Sequence, residues 1–188
     1  LRGEVVLAGL VAYLKAAPGK YNFASQGMGT LSHLESELFL LKTGTQAMHI
    51  PYKGSALALP EVVNGTSVMM FDSIAGSMPL VRAGKLKFLA VASGSRIATL
   101  PDVPTVAEAG VPGFEADNWF GFVAPKGTPQ QAIDALRAAV EKAVSQPDLA
   151  KQLAAQGTEL RYLGPAELQS LIRKEHDTWA EVIKNAKV

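Results

Sequence analysis

The chain has 188 residues, 48% of them hydrophobic and 19% charged, so it can bury a substantial core and is not of the disordered class. Its 18 Lys and Arg against 17 Asp and Glu leave a formal net charge of +1, which predicts no nucleic-acid partner. The absence of cysteine excludes thiol catalysis and disulfides, and the three widely spaced histidines form no compact metal motif, so no metal or cofactor is expected.

The first predicted element is a helix from Val5 to Ala17, which Pro18 and Gly19 end. Its apolar run of ten residues, Val5 to Leu14, is shorter than the roughly 20 residues of a bilayer span. Glu4 in the flank and the lack of a small-residue cleavage pattern favour a buried helix over a signal peptide.

Helical and strand-like segments then alternate along the chain, which predicts an α/β fold with a mostly parallel sheet. Strands are predicted at residues 21–25, 47–52, 67–71, 86–92, 119–124 and 159–163. Further helices are predicted at residues 31–44, 57–63, 72–84, 105–109, 128–144 and 147–157 and from 165 onward.

Apolar spacing predicts the buried face of the longer helices. In the second helix, which Gly44 ends, the stripe consists of Leu31, Leu34, Leu38 and Leu41. In the last helices the residues predicted to face inward are Ile133, Leu136, Val140, Val144, Leu168, Leu171, Ile172, Trp179, Val182 and Ile183.

Proline and polar residues mark the starts of three further helices. Pro60 leaves the start of the third helix open, because proline fits a first turn better than a helix interior. Asp72 and Ser73 open the fourth helix, and Thr128 caps the helix predicted at 128–144, with Pro129 at its first position.

A connector rich in proline and glycine, residues 94–118, divides the chain. It holds one small predicted helix, Thr105 to Ala109, opened by a capping box with Glu108. The predicted domains are therefore residues 1–118, an α/β domain, and residues 119–188, a C-terminal segment. Because two strands alone are marginal, this segment needs a partner: the first region, further polypeptide or a second copy.

The stretch most informative about chemistry is SQGMGTLSH at residues 25–33, predicted as a strand, a glycine turn and the start of a helix. Such a turn points free backbone N–H groups and the positive end of the helix dipole at an anion. Gly27 and Gly29 allow close approach, and Thr30 and Ser32 offer hydroxyls. The third glycine of a dinucleotide fingerprint and the lysine of a P-loop are both missing, so a nucleotide is only weakly indicated.

Plainer interpretations remain open for the polar residues. Ser32 and Glu35 fit a capping box, so Ser32 could serve only to cap its own helix. His33 fits a ligand donor, a general base or a polar residue on the helix shoulder, and Asp72 fits an N-cap or a cleft. His49, within a predicted strand, is expected to be packed rather than functional.

A catalytic Ser/His/Asp set can be assembled on paper from Ser25 or Ser32 with His33 and Asp72. No G-x-S-x-G nucleophile elbow occurs in the sequence, so a hydrolase is the weakest of the alternatives. Ligands of open parallel sheets bind at the carboxyl ends of strands, where Ser25, Tyr52 and Asp72 are predicted to lie.

Several motifs in fixed order, from about Tyr13 to the C-terminus, resemble the Bug family, the periplasmic substrate-binding proteins of tripartite tricarboxylate transporters. The longest are LPDVPTVAEAG at residues 100–110 and PGFE at 112–115. Supporting matches are PYKGS at 51–55, MFD at 70–72, AGKL at 83–86, WFG at 119–121 and APKGTP at 124–129.

The resemblance implies a two-lobed Venus-flytrap receptor, not an enzyme, that captures a small carboxylate in the periplasm and delivers it to membrane transporter subunits. The chain would supply one lobe of the type II periplasmic-binding-protein kind and a C-terminal segment belonging to the other lobe. Carried onto this sequence, the ligand-binding residues are Ser25, Gly27, Gly29, Thr30, Ser32 and His33, with Asp72 nearby.

The sequence departs from the family pattern in lacking the exported leader and the first-lobe segment that carries a second ligand loop. This predicts a fragment, a truncated gene product, or a chain whose missing surface comes from a second copy. The alternative function is therefore an oligomerising remnant that binds no ligand.

Overall fold

The structure, a computed structural model, describes residues 3–186 and 188, with side chains from residue 7 onward. It divides into two compact units. The first contains the described residues up to Asp117 and from His176 onward, and the second is Asn118–Glu175. The predicted boundary after residue 118 lies one residue from this division, but the end of the last helix belongs to the first unit.

A short parallel sheet forms the centre of the first unit. Strand β1, Asn22–Ser25, pairs in parallel with β2, Met48–Pro51, and Phe23 lies opposite His49. On the other side of β1, the Ala24 N–H donates to the Met69 carbonyl oxygen over 3.0 Å, giving an isolated parallel bridge. The parallel arrangement predicted from the sequence is confirmed, although the predicted strand at 67–71 is reduced to this bridge.

The described helices follow the predicted order along the chain. They are α1 Gly3–Ala16, α2 Leu31–Thr43, α3 Ser55–Val63, α4 Ile74–Arg82, α5 Gln130–Val144, α6 Pro147–Ala154 and α7 Pro165–Ala186. Gly44 ends α2 as predicted, in the left-handed conformation with φ of +60°, which glycine adopts without a Cβ penalty. None of the described helices is long and apolar enough to cross a bilayer.

The core of the first unit is built on aromatic side chains. Phe23, Phe39 and Phe114 are almost fully buried, and Phe71 packs between Phe39 and Phe114 with ring centroids 6.1 and 5.6 Å away. The leucine stripe of α2 is only partly confirmed. Leu34 and Leu38 are buried, but Leu41 is 52% exposed, because at this point of the helix Leu40 rather than Leu41 enters the core.

Three predicted strands, at residues 86–92, 119–124 and 159–163, do not form among the described residues. Only Val91 pairs, in a single parallel bridge to Thr105. A strand needs a neighbour for its backbone N–H and C=O groups, and apolar sequence alone does not supply one.

Two helix starts also differ from expectation. The segment from Thr105 to Ala109 is a series of turns, yet its capping box forms: the Thr105 Oγ1 accepts from the Glu108 N–H over 3.0 Å. Helix α5 begins at Gln130 with Pro129 as its N-cap, and the Thr128 hydroxyl donates to the Pro125 carbonyl instead of capping. Pro60 lies inside α3 rather than at its start.

The second unit, which the structure describes in full, contains no buried residue. Phe120 is 88% exposed, and Leu136 on α5 and Ile172 on α7, both predicted to face inward, are exposed as well. In the part of α7 that belongs to the first unit, Val182 is buried as predicted, but Ile183 is exposed. The helices of the second unit thus have the apolar spacing typical of helices in a core, but none of their residues within this unit is buried.

Candidate functional site

The glycine turn predicted from the sequence joins the end of β1 to the start of α2. Gly27 has a φ of +145° and Gly29 a φ of +70°, both in the region that glycine favours. A Cβ on Gly27 would also lie 3.4 Å from the Tyr52 carbonyl oxygen. The turn therefore depends on glycine at both positions.

Hydrogen bonds within the chain occupy the amides of both glycines. The Gly27 N–H donates to the Ser25 Oγ, and the Gly29 N–H donates to the His33 Nδ1, each over 3.1 Å. By contrast, the N–H groups of Leu31 and Ser32, the first two residues of α2, donate to no other described residue. The free donors of the turn are thus at the helix start, where the positive end of the helix dipole lies.

The two hydroxyls of the turn are occupied in shaping it. The Thr30 Oγ1 donates to the Gly27 carbonyl oxygen over 2.8 Å, and the Ser32 Oγ donates to the Phe71 carbonyl oxygen. The N-cap position of α2 is Thr30, so the capping box proposed for Ser32 and Glu35 is wrong. Ser32 lies two residues after the N-cap, inside the helix, and its hydroxyl instead joins α2 to Phe71.

Asp72 lies beside the turn at the centre of a polar network. Its Oδ1 accepts from the Gln26 Nε2 over 2.7 Å and from the Ser55 Oγ over 2.6 Å, and its Oδ2 accepts from the Ser77 Oγ over 2.8 Å. Ser73, not Asp72, is the N-cap of α4. The carboxylate therefore joins the end of β1 to the starts of α3 and α4.

Gln26 and Ser55 were not singled out from the sequence as site residues. Both fall within the recognisable stretches SQG and PYKGS, on either side of the predicted carboxyl ends of the strands. Their position near the carboxyl ends of the predicted parallel strands, where ligands bind, was the one feature of the sequence that indicated Gln26 and Ser55.

Beneath the turn, the imidazole rings of His33 and His49 stack with centroids 3.7 Å apart and planes 11° from parallel. Phe23 stacks on His49 at 4.9 Å, and the His49 Nε2 lies 2.6 Å from the Ser25 Oγ. Burial lowers the pKa of both histidines, and for His49 the neighbouring His33 adds to the effect and brings the pKa to about 4. Both rings are therefore neutral at pH 7, and the expectation that His49 is packed is confirmed.

The hydrogen bonds assign the tautomer of His33. Because its Nδ1 accepts from the Gly29 N–H, the ring proton is on Nε2, which lies 3.5 Å from the Glu37 Oε1. The hydroxyl of Ser25 contacts His49 rather than His33, and Ser25 is fully buried. This geometry does not assemble the hydrolase set considered from the sequence, since the Ser25 hydroxyl contacts His49 and the Ser32 hydroxyl donates to the Phe71 carbonyl oxygen, and neither contacts His33.

Helix α2 carries one buried carboxyl group, that of Glu35. Glu35 is 8% exposed, and burial, with contributions from Asp117 and Asp72, raises its pKa to about 8. Its carboxyl group is thus protonated at pH 7. The described residues include no group of three or more side chains able to hold a metal ion.

The turn is on the surface of the first unit, with Met28 at its tip 66% exposed. A separate open cleft of about 670 Å³ lies at the far end of α2, where Leu40, Gly44, Met48 and Val182 are among its lining residues. The candidate site is therefore the turn and the start of α2, not this cleft.

Comparisons with known proteins are consistent with one family. Residues 5–188 match the sequence model of the family described as tripartite tricarboxylate transporter family receptor. Protein BugT of Bordetella pertussis is 35% identical over 178 residues, which cover 95% of this chain and 55% of that protein.

Two solved structures are similar in fold. The structure described as R. palustris Rpa4515 with adipate has a TM-score of 0.86 and 33% identity, covering 96% of this chain and 60% of that one. MatC (Rpa3494) from Rhodopseudomonas palustris with bound malate has a TM-score of 0.79 and 31% identity, covering 94% of this chain and 61% of that one.

These matches confirm the resemblance stated from the motifs, the α/β binding-protein fold class and a receptor family rather than an enzyme family. The chain spans about half the length of the curated relatives it matches.

Proposed function

Because this chain belongs to the tripartite tricarboxylate transporter receptor family, we propose that the start of its helix α2 binds a carboxylate group of a small organic acid. The observation that carries the proposal is the pair of free N–H groups at Leu31 and Ser32. Hydrogen bonds from backbone N–H groups to an ionised oxygen are about twice as strong as neutral ones, so two of them hold a carboxylate without a lysine or arginine.

The proposal gives the seven predicted site residues different roles. Ser32 contributes its backbone N–H to the ligand, together with Leu31, which was not singled out. The remaining six shape and support the turn through the bonds described above; they are Ser25, Gly27, Gly29, Thr30, His33 and Asp72. The adipate and malate in the two similar structures support a small dicarboxylate as the ligand class.

At the level of the whole receptor, we propose capture of the acid in the periplasm and delivery to membrane transporter subunits. Of the C-terminal segment predicted at residues 119–188, the part within the second unit, up to Glu175, is proposed to belong to the other lobe. Two observations support this: the second unit has no buried residue of its own, and the chain covers about 60% of the similar solved structures.

Exposed apolar side chains in the second unit favour one alternative, an oligomer in which the second units of different chains cover each other. Phe120, Phe122 and Val123 are each more than 80% exposed. Light scattering of the purified chain separates the alternatives, because a monomer at all concentrations contradicts the oligomer.

The binding site is tested by Leu31→Pro, which deletes one N–H donor. Proline is well tolerated at the first helical position, and Thr30 already has φ of −72° and ψ of 161°, which suits a residue before proline. Losing one charge-assisted hydrogen bond of about 1.5–3 kcal/mol should weaken malate or adipate binding roughly 10- to 100-fold. Isothermal titration calorimetry measures this.

The matched control is Leu31→Ala, which keeps the N–H and removes most of the side chain. It should bind within about threefold of the unaltered chain, and 1,6-hexanediol, the uncharged analogue of adipate, should not bind. Circular dichroism checks that helix content is kept in both variants. Equal affinity of Leu31→Pro and Leu31→Ala would contradict the site.

A further inference from the structure

Both glycine amides of the turn depend on the stacked histidines beneath it. The Gly29 N–H donates to the His33 Nδ1, and the Gly27 N–H donates to the Ser25 Oγ, which contacts the His49 Nε2 at 2.6 Å. The two rings stack with centroids 3.7 Å apart, so the group that supports Gly29 is in direct contact with the group that supports Gly27 through Ser25. The turn that precedes the free amides of α2 is thus held in place by one pair of imidazoles.

We propose that His49 acts with His33 as a pair of positioning residues for the carboxylate-binding turn, and that the pair holds the turn only while both rings are neutral. This inference rests on the proposed function of the turn. It assigns a role to His49, which the sequence indicated only as a packed residue, and it places His33 behind the ligand site rather than in contact with the ligand.

The requirement for neutrality follows first from the bond to Gly29. An imidazole accepts a hydrogen bond only through a nitrogen without a proton, and both nitrogens of an imidazolium carry one. Protonation of the His33 Nδ1 would therefore set two donors, that nitrogen and the Gly29 N–H, against each other at 3.1 Å. The turn would have to move, because His33 is only 2% exposed.

The second reason is the surroundings of the stacked rings. A charge on either ring faces the other ring at 3.7 Å, and the apolar ring of Phe23 covers the outer side of His49. Among the described residues, the one carboxylate in contact with the pair is that of Glu37, 3.5 Å from the His33 Nε2. Burial raises the pKa of Glu37 and lowers the pKa of His33, so burial opposes the charged form of both groups.

Acid should therefore loosen the turn. The pKa of His49 is lowered to about 4, so the ring stays neutral until the pH falls well below the ordinary range of histidine. As the histidines become charged in acid, the bond from the Gly29 N–H to the His33 Nδ1 is lost and the contact between His49 and the Ser25 hydroxyl, which accepts from the Gly27 N–H, is altered, so the affinity for a carboxylate falls. A ligand taken up near neutral pH would be bound less tightly in acid.

The first test needs no ligand. Nitrogen-15 spectra of the full chain should show the His33 proton on Nε2 at pH 7.5, and the Gly27 and Gly29 amides should exchange slowly. On lowering the pH to 4.5 and below, both amides should shift and exchange faster, following the titration of the histidines. A His33 proton on Nδ1 at pH 7.5, or glycine amides that ignore the titration, would overturn the inference.

The second test separates the hydrogen bond from the packing. His49→Phe keeps a stacked ring but removes the contact to Ser25, and should weaken malate binding about 5- to 10-fold at pH 7.5. His49→Gln places an amide near the Nε2 position and does not titrate, so its affinity should fall less than that of the unaltered chain when the pH is lowered from 7.5 to below about 4. Comparing the two also corrects for titration of the ligand's own carboxyl groups.

The control is His176→Gln, because His176 is exposed; it should leave the affinity and its pH dependence unchanged. If His49→Phe binds as tightly as the unaltered chain at both pH values, His49 is not a positioning residue. If the unaltered chain binds no carboxylate at pH 7.5, the proposed function is wrong. The nitrogen-15 measurements of the His33 tautomer and of the Gly27 and Gly29 amides still test whether neutral histidines hold the turn.

Discussion

Replacing Glu35 with glutamine should raise the free energy of unfolding by roughly 4 kcal/mol near pH 9 and change it little near pH 4. The carboxyl group is buried on α2, and its pKa in the folded chain is about 8 against an ordinary 4.5. Glutamine has the same shape and never ionises, so it removes the cost of holding a charge at this position.

The sign follows from proton binding. Between about pH 4.5 and pH 8 the folded chain keeps a proton on Glu35 that the unfolded chain has released. The folded state is therefore stabilised by protons over this range, and the unaltered chain should lose stability steadily as the pH rises through it.

Urea unfolding at a series of pH values measures this difference. The matched control is Glu141→Gln on the exposed face of α5, which should leave the profile unchanged. A profile for Glu35→Gln that runs parallel to that of the unaltered chain would show that the pKa of Glu35 is the same in the folded and the unfolded chain.

Although the Gln26 Nε2 keeps a second acceptor in the Ser55 Oγ, Asp72→Ala should lower the free energy of unfolding by about 3 kcal/mol, because it removes an acceptor from three donors. These are the Gln26 Nε2 and the hydroxyls of Ser55 and Ser77. Asp72 is partly exposed, so water replaces part of the loss. Since the same carboxylate joins β1 to α3 and α4 beside the turn, the variant should also weaken binding of the acid.

Asp72→Asn distinguishes charge from hydrogen bonding, because it keeps one acceptor oxygen and should cost about half as much. Asp102→Ala, at an exposed position in the connector, is the control for removal of a carboxylate. Unfolding of Asp72→Ala at the same urea concentration as Asp102→Ala would show that the network does not stabilise the fold.

Local sequence patterns were sufficient to predict the turn but not its hydrogen bonds. A strand followed by Gly-x-Gly and an apolar stripe predicts β1, the turn and α2, because each depends on neighbouring residues. The hydroxyl of Ser32 instead binds the Phe71 carbonyl, 39 positions away, and the helix begins after Thr30, which is its N-cap. Spacing along one helix cannot reveal a partner on another segment.

The histidine pair and Glu35 illustrate the same limit. His33 and His49 are 16 positions apart and meet only because α2 packs across β1 and β2. Glu35 fits a capping box by its spacing, yet it is buried near Asp72 and Asp117. Such pairings are set by tertiary packing, which overrides local preference.

The missing strands have a different cause. Segment 119–124 has the aromatic and β-branched residues of a strand, and Phe120 and Phe122 are exposed. Strand propensity describes how well side chains fit a pleated, half-buried surface, so it is realised only beside a neighbouring strand. The described residues provide no such neighbour for this segment.

The most direct test of the carboxylate site is a nitrogen-15 spectrum of the chain during titration with malate. The largest shifts should be those of the Leu31 and Ser32 amide protons, and they should follow the same saturation curve as the heat of binding. The Gln130 and Gln131 amides, at the start of α5, should not move. Saturable malate binding that leaves the Leu31 and Ser32 amides unshifted would contradict the site.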